Sequence, residues 1–481
     1  MNLSRRSILA MPLALPLLPT VSCAATEIEV TRFGAKGIGA SFDDTNACQA
    51  AIDYIYKQGG GTLLFPATQN YYNLSRPLVL RPRVSVTSIG GRAKLKNLIP
   101  DAHGLARIFL PGNFHPDFTS RLPYVPLGAI SSNTNYVSPV GGTAGFAIGD
   151  QVLVASTTVG QTGGFPLPKY AWINTIQDIS SGQMLLRYPV DVSVDARIAI
   201  LGKTPARDGI PIFFYSDGTV TNLDIEATSS WMSDSAMLNA QFRNLTVRSD
   251  RAIYGNTFQH CEWSDSEFHF HKQIGELSHN SLNVNVSNCH FIFDGANGTS
   301  NAGGISLQEY GRNLTFKDCQ IDIPHQGLGG MLLNNSNTEN VRYENLIANF
   351  FKFDGVLIRI GAEGDSEFNI FGNVYENCKF VGGQAARAVE INESGGQYAH
   401  DNAIVGCSFE GHFTAPDSIR ISSTQNGFLF SGNDVSEGAM LVFPDASNAT
   451  ITGNNIPGGI KPSAKRQRAP EEDNMVLRNA K

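Results

Sequence analysis

One short motif recurs through the second half of the chain. Asn288-Cys289-His290-Phe291 is followed by Asp318-Cys319-Gln320-Ile321, Asn377-Cys378-Lys379-Phe380 and Gly406-Cys407-Ser408-Phe409. Asn345-Leu346-Ile347 supplies the missing step, Cys261-Glu262-Trp263 precedes the series, and Gly432-Asn433-Asp434-Val435 and Gly453-Asn454-Asn455-Ile456 continue it. A spacing of roughly 20–30 residues is the period of a solenoid. Five of the seven cysteines are assigned to one register of this repeat.

Each unit reads as short strands separated by Gly, Asn, Asp and Ser, as in Asn313-Leu314-Thr315-Phe316, Asn402-Ala403-Ile404-Val405 and Ala449-Thr450-Ile451-Thr452. Apolar residues alternate with period two, the strand pattern, and no helical period is sustained. Units this short cannot bury an apolar face alone, so they must stack. The expected fold is all-β: a single-stranded, right-handed parallel β-helix whose coils lie about 4.8 Å apart. Cysteine is small and apolar, so a file of cysteines reads as free thiols in the core. A one-per-coil pattern does not pair residues into disulfides, and without a C-x-x-C pair zinc has little support.

The chain has 481 residues, 42% of them hydrophobic, ample for a large core, and its 48 glycines suit a turn-rich β fold. The net charge of −7 argues against a nucleic-acid partner. Ser4-Arg5-Arg6-Ser7-Ile8-Leu9 carries the paired arginines of a twin-arginine signal, and an apolar stretch runs from Ile8 to Leu18. An ordinary secretory signal with two basic residues is the alternative. Cleavage near Ser22-Cys23-Ala24 or Cys23-Ala24-Ala25 removes Arg5 and Arg6 and leaves a charge of about −9. No later apolar run is long enough to cross a membrane. A periplasmic or secreted protein without a membrane span is expected.

After the strand Glu27-Ile28-Glu29-Val30-Thr31 come Phe33-Gly34-Ala35-Lys36-Gly37 and Asp43-Asp44-Thr45, then a short helix with Ala47, Ala51, Ile52 and Ile55 on one face. Asp43 or Asp44 is placed to cap it. Gly59-Gly60-Gly61 ends it, and Thr62-Leu63-Leu64-Phe65-Pro66 reads as a buried strand. Together these residues, within 30–95, resemble the start of pectate-lyase-superfamily β-helix proteins, a group that includes polysaccharide lyases, some glycoside hydrolases and phage tail-spike depolymerases. The resemblance implies a helix-capped first coil with a structural, not catalytic, role. The chain departs from the pattern at Ile38, where Asp is more typical, and at Ala67-Thr68-Gln69, where a Gly-Thr turn is common. The tail-spike members are trimers, so the resemblance allows a trimer, but no trimer seam is legible and the oligomeric state stays open.

The expected organisation is a signal peptide at 1–25, a cap and first coils at 26–99, a small β insertion at 100–215, the β-helix at 216–460 and a polar tail at 461–481. Gly145-Phe146-Ala147-Ile148-Gly149-Asp150-Gln151-Val152-Leu153-Val154 and Met184-Leu185-Leu186-Arg187-Tyr188-Pro189 read as strands of the insertion. The tail is either a disordered end or a cap for the last coil.

Aligning the strand that follows the cysteine register in each coil gives an outward row of Glu267, His269, His271, Gln308, Asn334, Arg359, Glu390 and Arg420. Glu267-Phe268-His269-Phe270-His271-Lys272 is its densest part, and histidine titrates near neutral pH. The favoured function is a polysaccharide lyase that cleaves a uronate-containing exopolysaccharide by β-elimination, which needs carboxylate neutralisation, a base and an acid. The catalytic candidates are His269, His271, Lys272, Glu267 and Arg359. Substrate-binding candidates are Asn334, Gln308, Tyr310, Glu390 and Arg420. Arg359 and Asn334 would neutralise, His269, His271 or Lys272 would be the base, and Tyr310 is a candidate acid. Trp231 and Trp263 could stack on sugar rings.

A glycoside hydrolase is the first alternative, with Glu267, Asp354 and Glu390 as the available carboxyl groups. The Asp-Asp pair and Gly-His-Gly motif of polygalacturonase-like enzymes are absent, as is the Asp-Pro-His-Asp motif of alginate epimerases. The calcium and arginine motifs of extracellular pectate lyases are not evident. A non-catalytic glycan-binding surface protein is the second alternative, since fold does not fix function. No cofactor is required. Glu363-Gly364-Asp365-Ser366-Glu367 could take calcium, with a solvated acidic loop as the simpler account.

Overall fold

The computed structural model describes residues 26–463 apart from 40, 99–106, 112–121, 163–164, 204–211, 233–235, 279, 295–302, 308–309, 325–330, 362–367, 394–395, 424–426 and 447. The N-terminal segment expected to direct export, the 464–481 part of the tail, the acidic run at 362–367 and Gln308 therefore lie outside the described residues. Two parallel 16-stranded sheets run the length of the chain. Their alternation is the one read from sequence. In the first sheet Val220, Phe242, Trp263, Val286, Phe316, Tyr343, Tyr375, Ile404 and Phe430 occupy successive paired positions, all facing inward. In the second, Val247, Phe268, Phe291, Ile321, Ala348, Phe380 and Phe409 do the same. Rings in consecutive coils stack, as Tyr343 on Tyr375 at 4.7 Å and Phe380 on Phe409 at 5.0 Å. Each buried large side chain contributes about 1.5–3 kcal/mol. The solenoid is a parallel β-helix with one continuous core.

The Asn, Asp or Gly of the repeat turns the chain from the first sheet into the second. Asn222, Asn244, Asp265, Asn288, Asp318, Asn345, Asn377, Gly406, Gly432 and Gly453 all have φ between +50° and +65°. Only glycine, Asn and Asp enter this left-handed region at low cost. The side chains also join coils: the Asn345 amide donates to Asp318 at 2.8 Å and the Asn288 amide to Asp265 at 3.2 Å. Four cysteines, Cys289, Cys319, Cys378 and Cys407, follow this corner in one file, with Leu346 between. Cys261 does not belong to it. It follows a different corner, at His260 (φ +55°), because the same left-handed turn chemistry serves both. The six described cysteines are buried and free. Burial pushes the thiols of Cys319 and Cys261 up to about 11 and about 12, so they are inert core groups.

The helix Thr45–Lys57 closes the N-terminal end, with Cys48, Ala51, Ile52 and Ile55 buried against the first coils. Of the two aspartates, Asp43 satisfies a free amide of its first turn, while Asp44, at the N-cap position, makes no side-chain cap bond. Asp43 accepts from the Thr45 amide at 3.0 Å and from the Ser75 hydroxyl at 2.6 Å, while Asp44 accepts from the Lys36 amide at 2.6 Å and ties down the preceding loop. Gly61 (φ +149°) must be glycine, since a Cβ there would overlap the Thr26 carbonyl. No helix of the described residues is long and apolar enough to cross a membrane.

Phe109–Pro111 still stacks as a coil strand on Leu78–Leu80. The chain then leaves the solenoid and forms a six-stranded antiparallel sheet between Val125 and Ile200. Gln151–Ser156 is shorter than the strand expected there, because 145–150 forms turns, and Gln183–Val190 covers the second expected strand. One face of this sheet packs on its own core around Val152, Val154 and Trp172, and the other packs Leu153, Ile173 and Ala199 against Phe214 and Leu238 of the solenoid. The chain rejoins the β-helix at Tyr215–Ser216.

Candidate functional site

The strand Glu267–Ser278 bends around a corner of the coil. Its first part, through Phe270, pairs with His290–Phe293, and its second part, from Gln273, pairs with Gly303–Leu307. The outward row read from sequence therefore splits in two. Arg248, His269, Ile292, Asp322 and Asn349 lie in one file. Glu276, Ser306, Asn334, Arg359, Glu390 and Arg420 lie in another, on the next face of the coil. Arg359 is three coils from the coil of His269, about 14 Å along the axis. A strand long enough to serve two faces gives no sign in its alternation of where it bends.

The structure does bring together Glu267, His269, His271 and Lys272. Phe268 and Phe270 point into the core, so the polar residues between them face out. His269 is clamped between carboxylates, with Nε2 2.8 Å from Glu267 and Nδ1 2.7 Å from Asp294. Both nitrogens are satisfied only when both carry a proton. In the next coil His290 Nε2 lies 2.6 Å from Asp322, which also accepts from Asn349 at 2.8 Å. Burial raises the pKa of Asp322, but the hydrogen bonds from Asn349, His290 and Gln320 outweigh it and hold the carboxyl below its ordinary value.

His271 and Lys272 share Asp250 of the preceding coil. The Lys272 ammonium donates to Asp250, and His271 Nδ1 lies 3.7 Å from it. The Asp250 carboxylate raises the His271 pKa against the opposing effect of burial. Asp250 is itself held low, since hydrogen bonds from His271 and Lys272 outweigh its desolvation. Arg248 is exposed and lies between His269 and Glu226 in the ladder; it helps stabilise the Glu226 carboxylate but makes no close ion pair or side-chain hydrogen bond among the described residues. Sequence reasoning missed Arg248, Asp250, Asp294 and Asp322. Arg248-Ser249-Asp250 carries the same outward phase as His269-Phe270-His271 one coil earlier, and that was the available signal.

The other candidates fall elsewhere. Asn334 is buried, donating to Ser306 at 3.3 Å. Arg359 Nη1 lies 3.3 Å from the Met331 sulfur. Glu390 is 3.7 Å from Arg387, and Arg420 forks onto Asp417 at 2.8 and 3.1 Å, sharing it with Arg387 at 3.1 Å. Tyr310 is 3% exposed and packs against Tyr170 of the insertion, so it cannot reach a sugar. Trp231 and Trp263 are core residues for the same reason. Glu267 and Glu390 lie on different faces and four coils apart, about 19 Å along the axis, too far to flank one glycosidic bond. The side chain of Asp354 lies outside the described residues.

No protein-family model matches the sequence. Among solved structures, the surface protein and adhesin PfbA of Streptococcus pneumoniae is similar over 91% of this chain and 99% of its own, at 12% identity and a TM-score of 0.52. The fold is a right-handed parallel β-helix. Weaker similarities extend to the tailspike gp61 of Pseudomonas phage phi297, with 13% identity, 94% and 83% coverage and a TM-score of 0.44. The tailspike of E. coli bacteriophage HK620 in complex with pentasaccharide has 11% identity, 90% and 67% coverage and a TM-score of 0.46.

Proposed function

We propose that the protein is an exported β-helix that binds an acidic polysaccharide along its second sheet and cleaves it by β-elimination. The observation that carries this reading is Arg248, an exposed guanidinium that faces Glu226 of the preceding coil but is in no close ion pair among the described residues, beside Asp250 of its own coil and His271 and Lys272 of the next. Elimination needs three things there. Arg248 neutralises the uronate carboxylate in a bidentate fork. His271 takes the neighbouring proton through Nε2, the nitrogen not turned to Asp250. Its raised pKa makes it a stronger base, available once the ring is neutral. Lys272 protonates the leaving oxygen. The paired arginines near the N-terminus carry the proposal of export.

The test is the ultraviolet absorbance of the unsaturated uronate product, followed with purified protein and a panel of acidic exopolysaccharides. Activity should rise with pH through the raised His271 pKa, and Arg248→Ala and His271→Ala should each lower kcat/KM by about 10²–10³-fold. New reducing ends without that absorbance would replace elimination by hydrolysis. A binding role without turnover is the second reading, favoured by the clamp that holds His269 between two carboxylates and in keeping with the adhesin named for the PfbA structure. Binding without either product would establish it.

A further inference from the structure

A separate cleft of about 1230 Å³ opens where the capping helix, the antiparallel insertion and the returning chain meet. None of its lining residues belongs to the second sheet. Its volume exceeds the roughly 300–1,000 Å³ typical of small-ligand sites, so it has room for more than one sugar ring. Its three carboxylates are each matched by a cation: Asp53 with Arg81 at 2.9 Å, Asp217 with Arg187 at 2.5 Å, and Asp150 with Lys203 at 3.9 Å. Lys57 and Arg83 also line it, both exposed, and neither makes an ion pair or side-chain hydrogen bond among the described residues. Among the described residues the cleft thus carries two uncompensated positive charges, in a chain of net charge −7. Its apolar surface combines aromatic with aliphatic side chains, Ile148 among them. Arg81 lies over the Phe213 ring at 5.0 Å and the Tyr56 ring at 5.9 Å, and Tyr56 is 40% exposed.

We propose that this cleft binds a short uronate-bearing oligosaccharide, with Lys57 and Arg83 holding carboxylates and the exposed Tyr56 packing on a sugar ring. A simple anion site would not need the aromatic wall, and a neutral glycan would not need the two free cations. The inference is independent of whether the second sheet turns substrate over. It is tested by calorimetric titration of the full chain in an Arg248→Ala background, which removes the guanidinium proposed to hold the uronate on the second sheet. The probes are tetrasaccharides of galacturonate, of mannuronate and of hyaluronan, with maltotetraose and inorganic sulfate as controls. At least one uronate tetramer should bind, and Lys57→Gln with Arg83→Gln should weaken it at least tenfold without changing the thermal midpoint. Both side chains are exposed, and Tyr56→Ala provides a second variant with an expected severalfold loss. The proposal is overturned if no uronate tetramer binds, if maltotetraose binds equally well, if sulfate displaces the tetramer completely at millimolar concentration, or if the double variant binds as tightly as its parent. Loss of product absorbance in Arg248→Ala with this binding intact would concern the second sheet alone.

Discussion

His260 illustrates how one residue couples turn, core and insertion. Its left-handed backbone turns the coil ahead of Cys261, and its ring stacks on Tyr188 of the insertion, with centroids 3.7 Å apart and planes 13° from parallel. Burial lowers its pKa to about 4, well below the ~6.5 of an unfolded histidine. Between these values the unfolded chain binds the extra proton. The contribution is therefore complete above about pH 6.5 and is lost as pH falls through about 4. The loss approaches about 3 kcal/mol at full protonation. Urea unfolding of wild type and His260→Phe between pH 7 and pH 4 measures it: the wild type should lose more stability on acidification, and parallel curves would sink this account. The left-handed corners themselves were legible, because Asn, Asp or Gly stands before Cys289, Cys319, Cys378 and Cys407 for a steric reason. That Cys261 follows a different corner was not, since the two turns use the same residues.

At the scale of elements, the insertion is anchored by polar groups that became buried where it meets the coils. Arg312 is 1% exposed, forks onto Asp191 at 3.1 and 3.2 Å, and lies under the rings of Tyr170 and Trp172. Beside it Tyr170 and Asn369 meet Glu339 at 3.2 and 2.5 Å. Arg312→Met should cost about 1.5–3 kcal/mol, because it leaves the partly buried Asp191 carboxylate with Trp172 Nε1 and without its guanidinium partner. The loss should show first as protease cleavage within 125–200 while the β-helix stays intact; cooperative loss of both at one midpoint would mean the insertion is not a separable element. Nothing in the local sequence around Arg312 separates it from a surface strand residue. Its charge partner Asp191 is 121 residues away in the chain, on the insertion, and only packing reveals it. The bent strand Glu267–Ser278 is the counterpart within the coils: its alternation was readable, its corner was not.

The whole molecule is a stack in which each coil touches its neighbours, so a core lesion should stay local. Tyr343 is buried between Phe316 at 5.1 Å and Tyr375 at 4.7 Å. Tyr343→Ala should lower hydrogen-exchange protection in the strands Arg312–Lys317 and Val374–Glu376 and leave the helix Thr45–Lys57 nearly unchanged; equal loss at the N-terminal cap would show that the stack unfolds as one unit. The period of the repeat and its two-residue alternation were enough by themselves to determine the β-helix, its inward files and its buried thiols. Each of these follows from local sterics and from the need of short strands to cover their apolar side. Which outward residues share a surface was decided only in three dimensions. The lateral register between coils, the corner within a long strand and the seat of the insertion depend on contacts between residues far apart in the chain. Those contacts moved Arg359 away from His269 and set Arg248 beside it.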